Sequence, residues 1–282
     1  MNFITQSGAA AGPIGQGTWY LGNHPETFQQ ELSALRAGLD AGMTLLDTAE
    51  MYGEGAAEQL LGRAIQGYDR EKLYLVSKVY PHNAGRRNIF HSCQASLRRL
   101  NTDYLDLYLL HWRGSVPFAE TVECMEKLKE DGLIRGWGVS NLDLDAMDEL
   151  AAVPNGKNCL TDQVLYHLGS RGIEYDLLPA LQKRNVSVMA YCPLAQGGSL
   201  RRGLLGSPAV TQTAQAHNAT PSQVLLAFLL TRPGVIPIPR SSRAEHALDN
   251  AAAAQLRLTG EDLARLDAAF PAPTHHVPLD MQ

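Results

Sequence analysis

The feature that most constrains this chain is an alternation of short apolar, β-branched runs with longer helical patterns, almost unbroken from end to end. The strand-like runs are Ile14–Trp19, Thr44–Asp47, Leu73–Lys78, Leu105–His111, Ile134–Ser140, Leu160–Val164, Val186–Tyr191 and Val235–Ile238. Several are nearly all apolar, such as Leu73-Tyr74-Leu75-Val76, which is how strands buried on both faces read. Between them, Phe28 to Leu39 sets Leu32, Leu35 and Leu39 at helical spacing, with Gly42 as a stop. Val122 to Lys129 repeats the pattern, closed by Asp131-Gly132. Thr220-Pro221 reads as an N-cap with proline at the first helical position. Arg243 to Ala254 continues the series, and Thr259 to Phe270 predicts one more helix.

Strand–helix alternation implies a parallel sheet with helical crossovers. Eight strands are enough to close a (β/α)8 TIM barrel, an α/β architecture. An open doubly wound sheet is the rival, but Gly12, Gly15, Gly17 and Gly22 lack the G-x-G-x-x-G spacing of its dinucleotide turn. A chain of 282 residues is long enough for one large domain or two ordinary ones. No linker-like tract divides it, so residues 1–282 are expected to form one barrel domain with an additional C-terminal helix.

Composition narrows the partners. A net charge of −5 argues against nucleic acid and anionic membranes. The Arg-Arg pairs at 86–87, 98–99 and 201–202 are isolated and expected on solvated faces. Cys93, Cys124, Cys159 and Cys192 show no C-x-x-C and no zinc spacing, so they read as reduced thiols, and no metal is expected. The first six residues lack a basic n-region and an apolar h-region. The longest apolar run, Val224 to Leu230, is far too short to span a bilayer. A soluble, cytoplasmic protein is expected, monomeric, with an oligomer left open.

In a TIM barrel the chemistry gathers at the C-terminal ends of the strands. The second run ends in Asp47, with Tyr52 five residues on; the third ends in Lys78 and the fourth in His111. A phenol has an ordinary pKa near 10, and an adjacent ammonium favours its ionised form, while a carboxylate keeps the ammonium charged. A neutral imidazole orients a carbonyl by donating a hydrogen bond. That set suits carbonyl reduction, but none of the four can supply hydride, so a nicotinamide cofactor is required.

Gly17-Thr18-Trp19, Asp47-Thr48-Ala49-x-x-Tyr52-Gly53, Ser77-Lys78, Leu110-His111, Gly138-Val139-Ser140-Asn141, Gln163 and Ile238-Pro239-Arg240-Ser241 occur in that order. Together they resemble the aldo-keto reductase family over nearly the whole chain, most closely its bacterial methylglyoxal-reductase-type members. The resemblance implies a (β/α)8 barrel and NADPH as cofactor. It makes Tyr52 the general acid, with Lys78 lowering its pKa, Asp47 holding Lys78, and His111 orienting the substrate. It places Ser140, Asn141 and Gln163 on the nicotinamide carboxamide, Tyr191 stacked on the ring, and Gly17 and Thr18 beside the nicotinamide ribose, with Trp19 also assigned to the cofactor. Pro193, Leu194, Gln196, Gly198 and Leu200 fall in the loop over the pyrophosphate. Arg240, Ser241, Ser242, Arg243, His246 and Asn250 fall in the adenosine pocket, and Ile238 and Pro239 just before them are also assigned to the cofactor. Here the chain departs from the family: Arg240 stands where lysine is commoner, and His246 where a basic residue is frequent. Arg240 and Arg243 are therefore expected at the 2′-phosphate.

Blander readings compete. Tyr52 and His111 alone would read as buried core residues, Asp47 as a turn cap, Ser140-Asn141 as a helix N-cap, and Tyr191 as packing. His275-His276 reads as a solvated tail. A cofactor-binding barrel that turns over slowly, in a regulatory or redox-sensing role, is the alternative function. A barrel hydrolase is disfavoured because the strand ends offer only one carboxylate. Trp19, Met51, Tyr80 and Trp112 flank the catalytic positions and predict a shallow aromatic cleft. That cleft suits small aldehydes and 2-oxoaldehydes such as methylglyoxal, with steroid ketones and large sugars as poor substrates.

Overall fold

The structure is a computed structural model that describes residues 12–282. The opening residues, read above as lacking a leader signature, lie outside the described residues. Eight strands form one sheet in sequential order with every neighbouring pair parallel. They are β1 (Gln16–Gly17), β2 (Leu45–Asp47), β3 (Tyr74–Val79), β4 (Leu107–Leu110), β5 (Trp137–Ser140), β6 (Thr161–Leu165), β7 (Ser187–Tyr191) and β8 (Val235–Pro237). The last strand returns to the first: Gly15 N–H donates to Pro237 O at 2.9 Å and Gly17 N–H to Pro239 O at 3.1 Å. A Cβ added to Gly17 would sit 3.0 Å from Ile238 O, so a residue without a side chain lets the two ends close. The architecture is the (β/α)8 barrel.

Each regular strand is shorter than the apolar run that announced it. β1 keeps two residues of Ile14–Trp19, and Leu105 and Ile134 join only through an isolated bridge. The ladder geometry survives only where the barrel strands run alongside each other, while apolar burial continues past it.

The crossover helices are α1 (Phe28–Asp40), α2 (Ala56–Ala64), α3 (Ile89–Leu100), α4 (Phe118–Glu130), α5 (Leu144–Ala152) and α6 (Leu177–Lys183). Between β7 and β8 come three: α7 (Gly198–Leu205), α8 (Pro208–Ala216) and α9 (Pro221–Leu230). Then follow α10 (Ala244–Ala252) and α11 (Gly260–Ala269), the additional C-terminal helix. Thr220 caps α9 in a capping box with Gln223, and Pro221 stands in the first turn. Asp143 caps α5 by accepting from Ala146 N–H at 2.9 Å, so the capping role considered for Ser140-Asn141 belongs three residues further on. Among the described residues no helix is long and apolar enough to cross a membrane.

Two of the arginine pairs depart from the solvated-face expectation. Arg99 donates through Nε to Glu58 Oε2 at 2.5 Å, and Glu58 is fully buried and also accepts from Ser77 Oγ at 2.6 Å. A buried carboxylate needs a cation at that distance, and α3 brings Arg99 to it. Arg201 turns into the cleft described below.

The core has two layers. Leu45, Tyr74, Val76, Leu107, Leu109, Met189, Ile236 and Ile238 fill the barrel interior. Leu46, Leu75, Tyr108, Val139, Val164 and Val188 face outward onto the helices. This period-two alternation fixes which side chains reach the barrel mouth.

Candidate active site

The parity that sends Leu45, Val76 and Leu109 inward carries on to the strand ends. Two residues after each comes an inward polar side chain: Asp47 after Leu45, Lys78 after Val76, and His111 after Leu109. Asp47 sits beside Val76 and Lys78 beside Leu109 in register, so successive strands raise these groups to one rim. On the far side, Ser140 of β5 pairs with Gln163 of β6, and Tyr191 ends β7. Tyr52 arrives from the loop after β2. Its N–H donates to Ala49 O at 3.0 Å as the chain enters a 3-10 turn over Tyr52–Gly55.

Lys78 is the hub. Its Nζ donates to Asp47 Oδ2 at 2.8 Å, to the Thr48 carbonyl at 2.8 Å and to Tyr52 OH at 3.0 Å, which satisfies all three ammonium protons. Asp47 Oδ1 accepts from Gln163 Nε2 at 2.8 Å. Ser140 Oγ donates to the Gln163 carbonyl at 2.7 Å, and Asn141 Nδ2 donates to Ser140 Oγ at 3.0 Å and to His111 O at 3.1 Å. Tyr191 OH extends the chain by donating to Asn141 Oδ1 at 2.8 Å. The expected catalytic and carboxamide-binding residues thus form one hydrogen-bonded network.

Burial sets the electrostatics. It pushes the His111 imidazole down to about 2, helped by the Lys78 charge, so His111 is neutral at any working pH. His111 Nδ1 is buried without a partner. An orphaned N–H is the costlier of the two options, so the proton belongs on Nε2, which leaves a donor for the cleft. Burial also lowers Lys78, against the pull of Asp47 in contact with it. For Tyr52 the direction is opposite to expectation. Burial first, then the Asp47 and Cys192 charges, raise its pKa well above the ordinary phenol value. Lys78 is in contact at 3.0 Å, but burial and the Asp47 charge outweigh it while the proton is in place. At rest Tyr52 is a neutral O–H donor.

These groups open into a cleft of about 1120 Å³ that includes open solvent. Trp19, Met51 and Trp112 wall the end holding Tyr52 and His111. The Trp19 ring lies 6.3 Å from Tyr52, and the His111 ring meets Tyr52 edge-on at 5.7 Å. The cleft continues past Gly17, Ser140, Asn141, Gln163 and Tyr191 to Pro193, Leu194, Gln196, Ile238, Pro239 and Arg240. Tyr80 is not one of its walls. It packs on the edge of Trp112 at 6.0 Å and beside His82 at 4.8 Å, because Pro81 starts a turn that carries the chain off the rim.

Thr18, Gly198, Leu200, Ser241, Ser242, Arg243, His246 and Asn250 also lie outside the cleft lining. Thr18 Oγ1 donates to Asp47 O at 3.0 Å beneath the floor. Leu200 is exposed. Ser241 Oγ shapes the turn before α10 by accepting from Arg243 N–H at 3.2 Å, and Ser242 O accepts from Gln30 Nε2 at 2.8 Å. Arg243 faces Glu245 at 3.0 Å, His246 lies 3.7 Å from the same carboxylate, and Asn250 is buried in α10.

The structure adds residues that the sequence reading passed over: Tyr20, Cys192, Arg201 and Gln282 line the cleft. Arg201 follows Gly198 by three positions at the start of α7, the only available signal. The tail after α11 folds back to the mouth. Ser170 Oγ donates to Asp280 Oδ2 at 2.5 Å, Cys192 Sγ lies 3.1 Å from Gln282 Oε1, and His276 Nδ1 lies 2.6 Å from Asp176. His276 is exposed but ion-paired rather than simply solvated, and its pKa is raised by Asp176. Among the described residues no group of His, Cys, Asp and Glu is arranged to hold a metal ion.

A barrel of eight parallel strands with a buried lysine, a tyrosine and a neutral histidine gathered at its C-terminal rim defines an enzyme of the proton-donating, carbonyl-handling kind. The aldo/keto reductase family model matches residues 13–270, and the chain belongs to that family. It is 56% identical to the methylglyoxal reductase YeaE of Escherichia coli (strain K12), over 95% of this chain and 94% of that protein. It is 33% identical to the glyoxal reductase of Bacillus subtilis (strain 168), over 86% and 84%. Among solved structures, an aldo/keto reductase from Klebsiella pneumoniae in complex with NADP and acetate superposes with a TM-score of 0.95. It is 54% identical and the match covers 97% of this chain and 96% of that one.

Proposed function

We propose that this chain reduces small aldehydes and 2-oxoaldehydes, methylglyoxal among them, with NADPH. The observation that carries the reading is a protonated Tyr52 OH, 3.0 Å from Lys78 Nζ, facing the same cleft as a neutral His111. The resemblance to NADP-bound and methylglyoxal-reducing relatives supports it.

The donor set fits a dinucleotide. Ser140, Asn141 and Gln163 offer amide and hydroxyl groups to a carboxamide, and Tyr191 lies beside them. Gly17 brings backbone without a side chain to the lining beside Ile238 and Pro239, and Arg201 and Arg240 supply cations for phosphates. Bound NADPH supplies the hydride that no side chain here can carry. His111 Nε2–H and Tyr52 OH bind the carbonyl oxygen and orient it. Tyr52 then gives its proton to the developing alkoxide, which is a far stronger base than a phenolate. Lys78 stabilises the charge left on Tyr52 Oη, Asp47 fixes Lys78, and Gln163 fixes Asp47. Trp19, Met51 and Trp112 exclude water at the reacting end.

The test is a substrate and cofactor panel on the purified chain. The expected result is higher kcat/KM for methylglyoxal and nitrobenzaldehyde than for a steroid ketone, since three aromatic or thioether walls give a long substrate little to hold. A steroid preferred over methylglyoxal overturns the substrate reading. NADPH should be preferred to NADH by at least about tenfold, roughly 1.4 kcal/mol. Arg240→Ala should remove most of that preference, because a guanidinium pairs with the 2′-phosphate in a charge-assisted way that NADH cannot offer. Equal losses for both cofactors would show that Arg240 does not read that phosphate.

A further inference from the structure

His167 lies in the loop after β6, fully buried, 29 residues from the cofactor loop and outside the catalytic network. Its hydrogen bonds determine its tautomer. Gly169 N–H donates to His167 Nδ1 at 3.1 Å, so Nδ1 carries no proton. Burial lowers the pKa of this imidazole, which keeps it neutral, and the remaining proton must reside on Nε2. Nε2 lies 2.9 Å from Gln196 Oε1, so His167 is the donor and the Gln196 carbonyl the acceptor. That fixes which end of the Gln196 amide is which. Its NH2 group carries two donors, no described residue accepts from it, and Gln196 lines the cleft.

The surroundings identify what those donors meet. Gln196 precedes Gly197, the N-cap of α7, and Gly198, its first residue, which have φ of 116° and 60°. The loop also holds Cys192 and Ala195 at φ of 50° and 67°, a left-handed region that costs free energy for residues with a side chain. Such a segment keeps its shape only when outside contacts impose it. His167 is one: a pair of backbone hydrogen bonds between His167 and Ser170, at 2.9 and 3.3 Å, ties its own turn. Arg201 and Arg240 line the cleft, and the charges of both act on Cys192 of this loop. The local field is positive, and the ligand group it suits is anionic.

We propose that His167 is a positioning residue that sets the Gln196 amide, so that its N–H groups donate to a phosphate oxygen of the dinucleotide diphosphate. The inference rests on the NADPH reading above. His167 touches neither substrate nor cofactor; it acts by orienting Gln196 and restraining the strained loop.

The test is a double-mutant cycle with His167→Phe and Gln196→Met, read by titrating NADPH and NADH into the substrate-free protein and by amide hydrogen exchange of residues 192–205 without ligand. Each single variant should weaken both cofactors about three- to tenfold. The double variant should be no worse than the weaker single one. Gln196→Glu should weaken binding more than Gln196→Met, because it keeps the acceptor for His167 but turns a carboxylate oxygen towards phosphate. His167→Phe should speed exchange in the loop before any cofactor is added. Independent, additive losses in the cycle, or Gln196→Met binding as tightly as the parent, overturn the proposal. Gln196→Met, at a half-buried loop position, keeps the test open if His167→Phe fails to fold. A parent protein that binds no NADPH overturns the cofactor reading instead, and the exchange measurement still reports whether His167 pins the loop.

Discussion

Tyr52→Phe is expected to lower kcat for aldehyde reduction by about two to four orders of magnitude, the usual range for removing a positioned general acid. The change deletes one oxygen and leaves the ring wedged between Trp19 and His111, so the walls of the cleft persist. Lys78 loses one of three acceptors but keeps Asp47 Oδ2 and the Thr48 carbonyl, so the buried pair stays intact and the fold with it. NADPH affinity should therefore change little. Turnover within a few fold of the parent would remove Tyr52 from the mechanism.

The raised pKa of Tyr52 gives the same variant a pH signature. A phenol whose pKa is raised holds its proton through the neutral range and loses it only as the pH climbs towards that raised value. Reduction, which needs the proton present, should be flat between about pH 6 and 9. Alcohol oxidation needs the phenolate as acceptor, so its rate should climb with pH over the same interval. His111 adds no inflection, because its imidazole stays neutral down to about 2. A reduction rate that falls across neutral pH would mean that the resting tyrosine is already ionised.

The parts of this site that were legible in the sequence are those that strand parity delivers. Asp47, Lys78 and His111 end consecutive apolar runs, and a period of two with a fixed parallel register leaves them only one place to go. Ser140, Gln163 and Tyr191 follow from the same rule at β5 to β7. What the pattern does not carry is the path of the chain once it leaves a strand. Tyr80 continues the inward parity of β3, yet Pro81 turns it onto Trp112. Arg201 belongs to an amphipathic turn whose orientation depends on a loop with four residues in the left-handed region, and residue type alone does not reveal that path. The folded-back tail is held by single polar contacts, Asp280 to Ser170 and Gln282 to Cys192, between residues that no periodicity links. The sign of the Tyr52 shift was missed for a different reason. Spacing brings a lysine to the tyrosine, but the balance between that charge, its carboxylate partner and burial depends on depth.

Lys78→Met tests that balance, and it should cost both activity and stability. Removing the cation withdraws the charge that stabilises Tyr52 as it gives up its proton, and losses of about two to three orders in kcat are typical of one such preorganised electrostatic group. The stability effect comes from the partner. Asp47 is left nearly fully buried with the Gln163 amide donor but no cation, and breaking a buried pair from one side costs about 3–5 kcal/mol. For a chain of this length that is a fall in Tm on the order of 10 °C. The two effects separate in the double variant Lys78→Met with Asp47→Asn. Asparagine is isosteric and neutral, so no charge remains stranded, and replacing a buried pair by neutral groups is often close to neutral for folding. The double variant should therefore recover most of the lost Tm and none of the lost kcat. If its turnover recovered along with its stability, Lys78 would be a scaffold lysine whose removal merely loosened the rim. If stability stayed low, the charge left on Asp47 would not be the cause of the loss, and the missing lysine stem in the barrel interior would be.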